Sequence, residues 1–397
     1  MPASPDPHEP TPDGTDRLLL HEAADDLREA HEAHEGRERH ASRERRQRAS
    51  DVVVLDDRSG ALVLGVLAVL DESASKSSET TPAPAPRVRS AQDRVTSERS
   101  LHGALAHAGA GDRVTVHAGL GPDLLRDARV VLLRLPKSLD ALEETAQAVA
   151  RWAPDDVVVY AGAPVKHMTR TMNEVLLRSF GEVHATRGRH KARALVARRP
   201  LDAARTAEPT FPRTARLDEL DLTVVAHGGV FAGTRLDIGT RTLLGVLDQA
   251  APEARDAVDL GCGTGVLATV LARSRPGLRV VASDQSAAAV ASTLATAGAN
   301  GVGDRVTGLR DDALSTLPDA SADLVVCNPP FHEGTTLETD AAHRMFAAAA
   351  RVLRPGGELW TVYNSHLRHK SALGRVVGPT TMVLQNPKFT VTRSVRP

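Results

Sequence analysis

Little in the overall make-up of this chain commits it to a partner or a compartment. Two cysteines, Cys262 and Cys327, occur in 397 residues, too few for a disulfide framework, and a reducing compartment is expected. The formal net charge is −1, so no global field marks a nucleic-acid binder, and none forbids one. Long apolar runs are missing too. The most apolar stretch, "GALVLGVLAVL" at residues 60–70, is about half of what a membrane span needs, and it follows Asp56, Asp57 and Arg58. Residues 1–16 are rich in Pro, Asp and Glu and do not resemble a signal peptide. A soluble, cytoplasmic protein with no membrane contact is expected. With 41% apolar and 25% charged residues the chain is ordinary globular material, long enough for two or three domains.

Residues 1–50 read as a charged, His-rich tail with twelve acids against eight Lys/Arg and almost no large apolar residue after Leu27. Such a segment buries too little to offset its ordering entropy, so a solvated tail is expected. From Val52 the character changes. Strand-like runs, "DVVVL", "RVVLLRL" and "DDVVVYAG", alternate with helix-like stretches such as "SLDALEETAQAVARWA", which argues for an α/β fold with a largely parallel sheet. A Ser/Pro loop at residues 73–86 and a proline-bearing linker at residues 198–213 interrupt the alternation, which then restarts.

The restart repeats the first half. "VLDDRSGALVLGVLA" can be laid on "DLGCGTGVLATVLA", pairing Gly60 with Gly265 and Leu62 with Leu267. "RVVLLRLPKSL" falls on "ADLVVCNPPF", so that Leu135-Pro136-Lys137 take the places of Asn328-Pro329-Pro330. The expected domains are 51–205 and 206–397, two copies of one doubly wound, mostly parallel fold, with every special residue kept in the second.

Those special residues begin with "AVDLGCGTGVLATVLARS", a strand, a turn and an amphipathic helix. Gly261, Gly263 and Gly265 at alternate positions let the backbone turn sharply and approach a ligand, and Asp259 stands two residues before them. A second strand ends in Asp284, where an acid can accept hydrogen bonds from two ribose hydroxyls. A third strand, read over residues 305–309, is followed by Asp312-Ala313, placed for the exocyclic amine of an adenine. Three acids at successive strand ends converge on an adenosine. The fourth strand ends in "LVVCNPPF", at the switch point where doubly wound sheets bind ligands. Pro329 and Pro330 cannot donate to a ladder and stiffen the exit. Asn328 adds a side-chain acceptor, and Phe331 a face for stacking, worth about 1–3 kcal/mol per base. Two carbonyl acceptors and an aromatic suit a planar amine. Cys262 and Cys327 read as small packing residues, and no metal site is expected.

These residues resemble the class I S-adenosylmethionine-dependent N-methyltransferases, on Asp259 to Gly265 together with Asn328-Pro329-Pro330-Phe331. The stretch "GGVFAGTRLDIGTRTLL" at residues 228–244, "CNPPFHEG" and the duplicated first half are similar to the ribosomal RNA guanine-N2 methyltransferases. The ending "VYNSHLRHKSALGRVVG", with "LPKSLDALEE" and "VKHMTRTMNEVL" in the first half, is closer to the large-subunit branch than to the small-subunit one. The resemblance implies two tandem Rossmann-like methyltransferase domains, the first degenerate and engaged in holding RNA. It also implies S-adenosylmethionine as methyl donor and methylation of a guanine N2 in 23S rather than 16S rRNA. The carbonyls of Asn328 and Pro329 would accept the two amine hydrogens while Phe331 stacks on an extruded base. The basic run at residues 187–199, Lys166-His167 and Arg368-His369-Lys370 are candidate phosphate-binding groups. A monomer without an obligate protein partner is expected. The same motif also fits methylation of a protein glutamine or a DNA adenine, and the fold alone fits a non-catalytic RNA-binding assembly protein.

Overall fold

The computed structural model describes residues 10–38, 51–75, 87–329 and 336–397. The chain divides into two units, Met1–Thr210 and Phe211–Pro397. In the first, seven strands run β1 (Val52–Leu55), β2 (Val88–Ala91), β3 (Val114–His117), β4 (Val130–Arg134), β5 (Val158–Pro164), β6 (Phe180–Ala185) and β7 (Ala192–Pro200). Their order across the sheet is β3-β2-β1-β4-β5-β7-β6, parallel through β5, with β7 antiparallel to both its neighbours. The continuous aliphatic runs of β1 and β4 are what a sheet covered on both faces requires. Val53, Leu55, Val131 and Leu133 enter one core with Leu142, Ala146 and Val149 of the helix Leu139–Trp152. The alternate residues Val52, Val54, Val130 and Leu132 enter a second core with Leu62, Val66 and Leu70 of the helix Ala61–Ala74.

That second core also contains what the sequence presents as a solvated tail. Residues 14–38 form a helix, Gly14–Glu38, and Leu18, Leu19, Ala23 and Leu27 on it are completely buried. The buried residues recur at helical spacing, and the sheet and the helix Ala61–Ala74 make room for them. A Cβ at Gly162 would lie 2.9 Å from Leu19, and one at Gly65 would lie 2.4 Å from Leu20. Polar anchors add to the packing. Asp26 accepts hydrogen bonds from the Tyr160 hydroxyl and the Arg198 guanidinium, both at 2.7 Å. The expectation of a tail over residues 1–50 is therefore corrected for 14–38, while residues 1–9 and 39–50 lie outside the described residues. So do residues 76–86, most of the expected Ser/Pro loop.

The second unit opens with an antiparallel pair, β8 (Arg213–Leu217) and β9 (Leu222–Ala226). Its main sheet contains β10 (Asp256–Leu260), β11 (Arg279–Asp284), β12 (Val306–Arg310), β13 (Ala322–Cys327), β14 (Leu353–Asn364), β15 (Thr380–Gln385) and β16 (Phe389–Val395). The order is β12-β11-β10-β13-β14-β16-β15, the same arrangement strand for strand as in the first unit. Duplication is thus a property of the fold as well as of the sequence pattern. No helix among the described residues is long and apolar enough to cross a membrane.

The helix Gly14–Glu38 gives a direct check on this packing. Leu19→Ala is expected to lower the unfolding free energy by about 2–5 kcal/mol in chemical denaturation, the usual cost of emptying a packed site. A change within about 0.5 kcal/mol, as for a surface position, would show that the helix does not belong to the core.

Candidate active site

The site is assembled by the central parallel ladder of the second unit. Leu260, the last residue of β10, pairs with Ser283 of β11 on one side and with Cys327 of β13 on the other. The chain leaves all three strands at the same edge. The glycine turn at 261–265, Asp284 and Asn328 consequently emerge together, at the switch point where the connections diverge.

In the turn, Gly261, Gly263 and Gly265 all have left-handed φ values of 79°, 54° and 74°. Gly265 caps the helix Val266–Ser274, and a Cβ there would meet Thr293 at 2.6 Å, so glycine is needed for helix packing. Gly263 differs, since a Cβ built on it would meet nothing within 4 Å among the described residues. Its amide donates to Asp284 Oδ2 at 3.2 Å, which ties the turn to the end of β11.

Asp259 is buried beneath the turn. Its Oδ2 accepts the Ala268 amide at 3.0 Å, capping the first turn of the helix, and its Oδ1 is buried without a hydrogen-bond partner among the described residues. Burial pushes this carboxyl up to about 7, and the neighbouring Asp284 charge adds to the rise. Past β12, Asp311 is buried and spends both carboxylate oxygens on Ser315, Thr316 and the Asp312 amide. Asp312 is half-buried beside it, and Ala313 has a φ of 49°. Of the two adjacent acids, Asp311 is bound up in its own loop, and Asp312 is the more exposed. Burial raises both cysteine thiols, and both are buried in the cores as packing residues.

Asn328 is held by an element far away in sequence. Its Nδ2 donates to Asp237 Oδ2 and to Thr240 Oγ1, each at 3.0 Å. Asp237 is the N-cap of the helix Ile238–Leu244, and the same Oδ2 accepts the Thr240 amide at 3.0 Å. Asn328 Oδ1 is buried and has no hydrogen-bond partner among the described residues. Pro329 is buried next to it, while Pro330 and Phe331 lie outside the described residues.

The first unit keeps the frame and fills the site. Leu55 pairs with Ala91 and Leu133 as Leu260 pairs with Ser283 and Cys327, so Gln92 stands in the place of Asp284. By the same register Arg134, not Leu135, stands in the place of Asn328, one residue earlier than laying the two strings together has it. Gly60, φ 88°, caps the helix Ala61–Ala74 as Gly265 caps its counterpart. Inside that turn the fully buried Asp57 accepts the amides of Ser59, Gly60 and Val63. In the second unit the matching amides of Gly265 and Ala268 go to the Cys262 carbonyl and to Asp259 Oδ2, so the two turns are closed by different groups.

Residues 221–393 match the model described as Methyltransferase small domain, and residues 12–201 match the RLMG N-terminal domain. The protein named ribosomal RNA large subunit methyltransferase G of Streptomyces coelicolor is 38% identical over 272 residues, covering 67% of this chain and 72% of that one. The protein of the same name from Pseudomonas paraeruginosa is 39% identical over 268 residues, covering 66% and 70%. The chain belongs to this methyltransferase family. Its structure is also similar to the T. Thermophilus 16S rRNA N2 G1207 methyltransferase (RsmC) in complex with AdoMet and guanosine. That likeness has a TM-score of 0.68 and 21% identity, covers 89% of this chain and 91% of that one, and speaks for the fold. The family's N-terminal model begins at residue 12 and so includes the buried helix Gly14–Glu38.

Sequence reasoning missed Asp237 and Thr240. Both lie inside the stretch 228–244 that carries part of the family resemblance, but locally "LDIGT" reads as a helix cap. It also offered His369 as a phosphate-binding group, whereas that ring is buried edge-on against Phe346 and Tyr363.

The buried Asp259 predicts a pH dependence. Its folded-state pKa is raised, so its stabilising share is complete below the ordinary carboxylate range and is lost as pH climbs through about 7. Asp259→Asn keeps the Ala268 hydrogen bond and removes the titration. The melting temperature of the variant relative to wild type is expected to be more favourable at pH 8 than at pH 5. A gap independent of pH would contradict the shifted carboxyl.

Proposed function

We propose that this chain transfers a methyl group from S-adenosylmethionine to the exocyclic N2 amine of a guanine in large-subunit ribosomal RNA. The observation that carries the reading is Asn328 Oδ1, a buried, unpartnered acceptor at the end of β13, beside the glycine turn. An orphaned acceptor in a packed site costs free energy unless a ligand donates to it. An exocyclic amine is such a donor.

The cradle suits the methyl donor. The open side of Gly263, the orphaned Asp259 Oδ1, Asp284 and Asp312 with Ala313 offer backbone approach and acceptors in the order that an amino acid joined to an adenosine requires. When bound, S-adenosylmethionine supplies an electrophilic methyl carbon on a sulfonium. Asp284 would take the ribose hydroxyls, and Asp312 with Ala313 the adenine edge. Asn328 Oδ1 accepts one hydrogen of the guanine amine and the Pro329 carbonyl the other, which orients a lone pair otherwise delocalised into the ring. Phe331 would stack on the base once it has left its helix. Asp259, Asp284, Asp312 and Asn328 all belong to one unit of one chain, so a monomer suffices, acting on ribosomal RNA in the cytoplasm.

The first unit has none of these groups and offers a basic edge instead. Arg187, Arg189, His190, Lys191 and Arg193, in and around the β6–β7 connection, are exposed. No salt bridge engages Arg187, Arg189, Lys191 or Arg193 among the described residues, whereas Arg198 and Arg199 are paired with Asp26 and Glu182. This unit would hold the RNA backbone.

Two outcomes test the reading. Asn328→Ala should lower methyl transfer to bare large-subunit rRNA by at least about 100-fold while cofactor binding by calorimetry persists. Undiminished transfer would remove the assignment, and preferential methylation of small-subunit rRNA, DNA or a release factor in the same assay would redirect it. Replacing Arg189, Lys191 and Arg193 with Ala should flatten the plot of log binding constant against log salt, by about one for each phosphate that is no longer neutralised. An unchanged slope would take RNA binding away from that edge.

A further inference from the structure

A side-chain amide is nearly symmetric in shape and opposite in chemistry at its two ends. If Asn328 were flipped, an NH2 group would face the substrate amine, donor against donor. Something must choose the orientation. A carboxylate accepts and cannot donate, so the group facing Asp237 has to be the amide nitrogen. Asp237 Oδ2 and Thr240 Oγ1, each 3.0 Å from Nδ2, account for both of its protons and leave Oδ1 as the free acceptor. The approach is close. A Cβ on Gly239 would lie 3.2 Å from Asn328 Oδ1 and 3.0 Å from Asp237 Oδ2, so glycine between the two clamp residues makes room for the amide.

The first unit contains the same device with a different cargo. Asp13 precedes the helix Gly14–Glu38 and accepts the amides of Thr15 at 2.7 Å and Asp16 at 3.0 Å. Asp13 and Asp16 thus occupy the cap and third helical positions, as Asp237 and Thr240 do. They hold Arg134, the counterpart of Asn328, through Asp13 Oδ2 at 2.7 Å and through Asp16 Oδ1. Two carboxylates suit a guanidinium, which has five donors and no acceptor to offer a ligand. One carboxylate and one hydroxyl suit a neutral amide and leave its oxygen without a hydrogen bond among the described residues.

We infer that Asp237 and Thr240 are positioning residues for methyl transfer, given Asn328 as the acceptor of the amine: they fix the amide so that its oxygen faces the substrate. They touch neither cofactor nor substrate in this role and act through Asn328.

The test uses the full chain, S-adenosylmethionine and large-subunit rRNA, with kcat, both KM values and thermal unfolding measured for each variant. Asp237→Ser keeps a helix-capping oxygen but is too short to hold Asn328 as well. It is expected to lower kcat by about 10–100-fold, with KM values within about twofold of wild type. Thr240→Val, of the same shape without the acceptor, should lower kcat by about fivefold or more. Asp237→Asn can place its carbonyl where Oδ2 lies and is expected to recover most of the rate. Full kcat in both Asp237→Ser and Thr240→Val, with Asn328→Ala inactive, would overturn the positioning role and leave the assignment of Asn328 standing. Loss of kcat in step with a lowered melting temperature and raised KM would overturn it too, reducing Asp237 to a helix cap. Activity retained in Asn328→Ala would instead sink the reading of the site itself, and the clamp with it.

Discussion

The pairing of β10 with β13 is the interaction on which the site depends. Parallel strands joined by helical crossovers end at a common edge, and this register sets Leu260 opposite Cys327. The residues that follow, a glycine turn on one strand and Asn328 on the other, are therefore neighbours before any side chain is chosen. Shifting the register by one residue would turn the buried aliphatics to the wrong face, and the two cores that cover the sheet hold it in place. The active-site geometry is inherited from the packing of Val258, Leu260, Val325 and Cys327.

Because the same ladder is built twice, the chain contains its own control. The first unit shows what the frame does without the chemistry. Its turn closes around Asp57, its second strand leads to Gln92, and its fourth strand ends in Arg134 locked between two carboxylates. Asp57 takes three turn amides, and Asp13 and Asp16 take the Arg134 guanidinium. In the second unit Asp259 Oδ1 and Asn328 Oδ1 are buried without a hydrogen-bond partner among the described residues. A buried polar group without a partner calls for one, and under the proposed function the cofactor and the substrate amine would supply it.

How much of this was legible in the sequence follows from distance along the chain. The glycine turn, Asp259, Asp284 and the Asn-Pro-Pro exit are local patterns at strand ends, and the two-copy α/β architecture follows from the alternation of apolar runs. The helix Gly14–Glu38 was not legible, because its buried stripe is a few leucines and alanines among charged residues, too narrow to announce a core without the partner surfaces at Gly65 and Gly162. The place of Arg134 was missed by one residue, since laying one string on another ignores which residues the ladder pairs. Asp237 and Thr240 lie 91 and 88 residues from Asn328, and no local pattern connects them.

The central claim concerns one modified base, and cells report it most directly. Large-subunit ribosomal RNA from cells lacking this protein would be digested to nucleosides and oligonucleotides and compared by mass spectrometry with RNA from cells that carry it. The account predicts the loss of one methyl group from a single guanine, mapping to N2 and restored by the wild-type chain. An unchanged methylation profile of that RNA, or a mass shift confined to another nucleoside or to the small subunit, would contradict it.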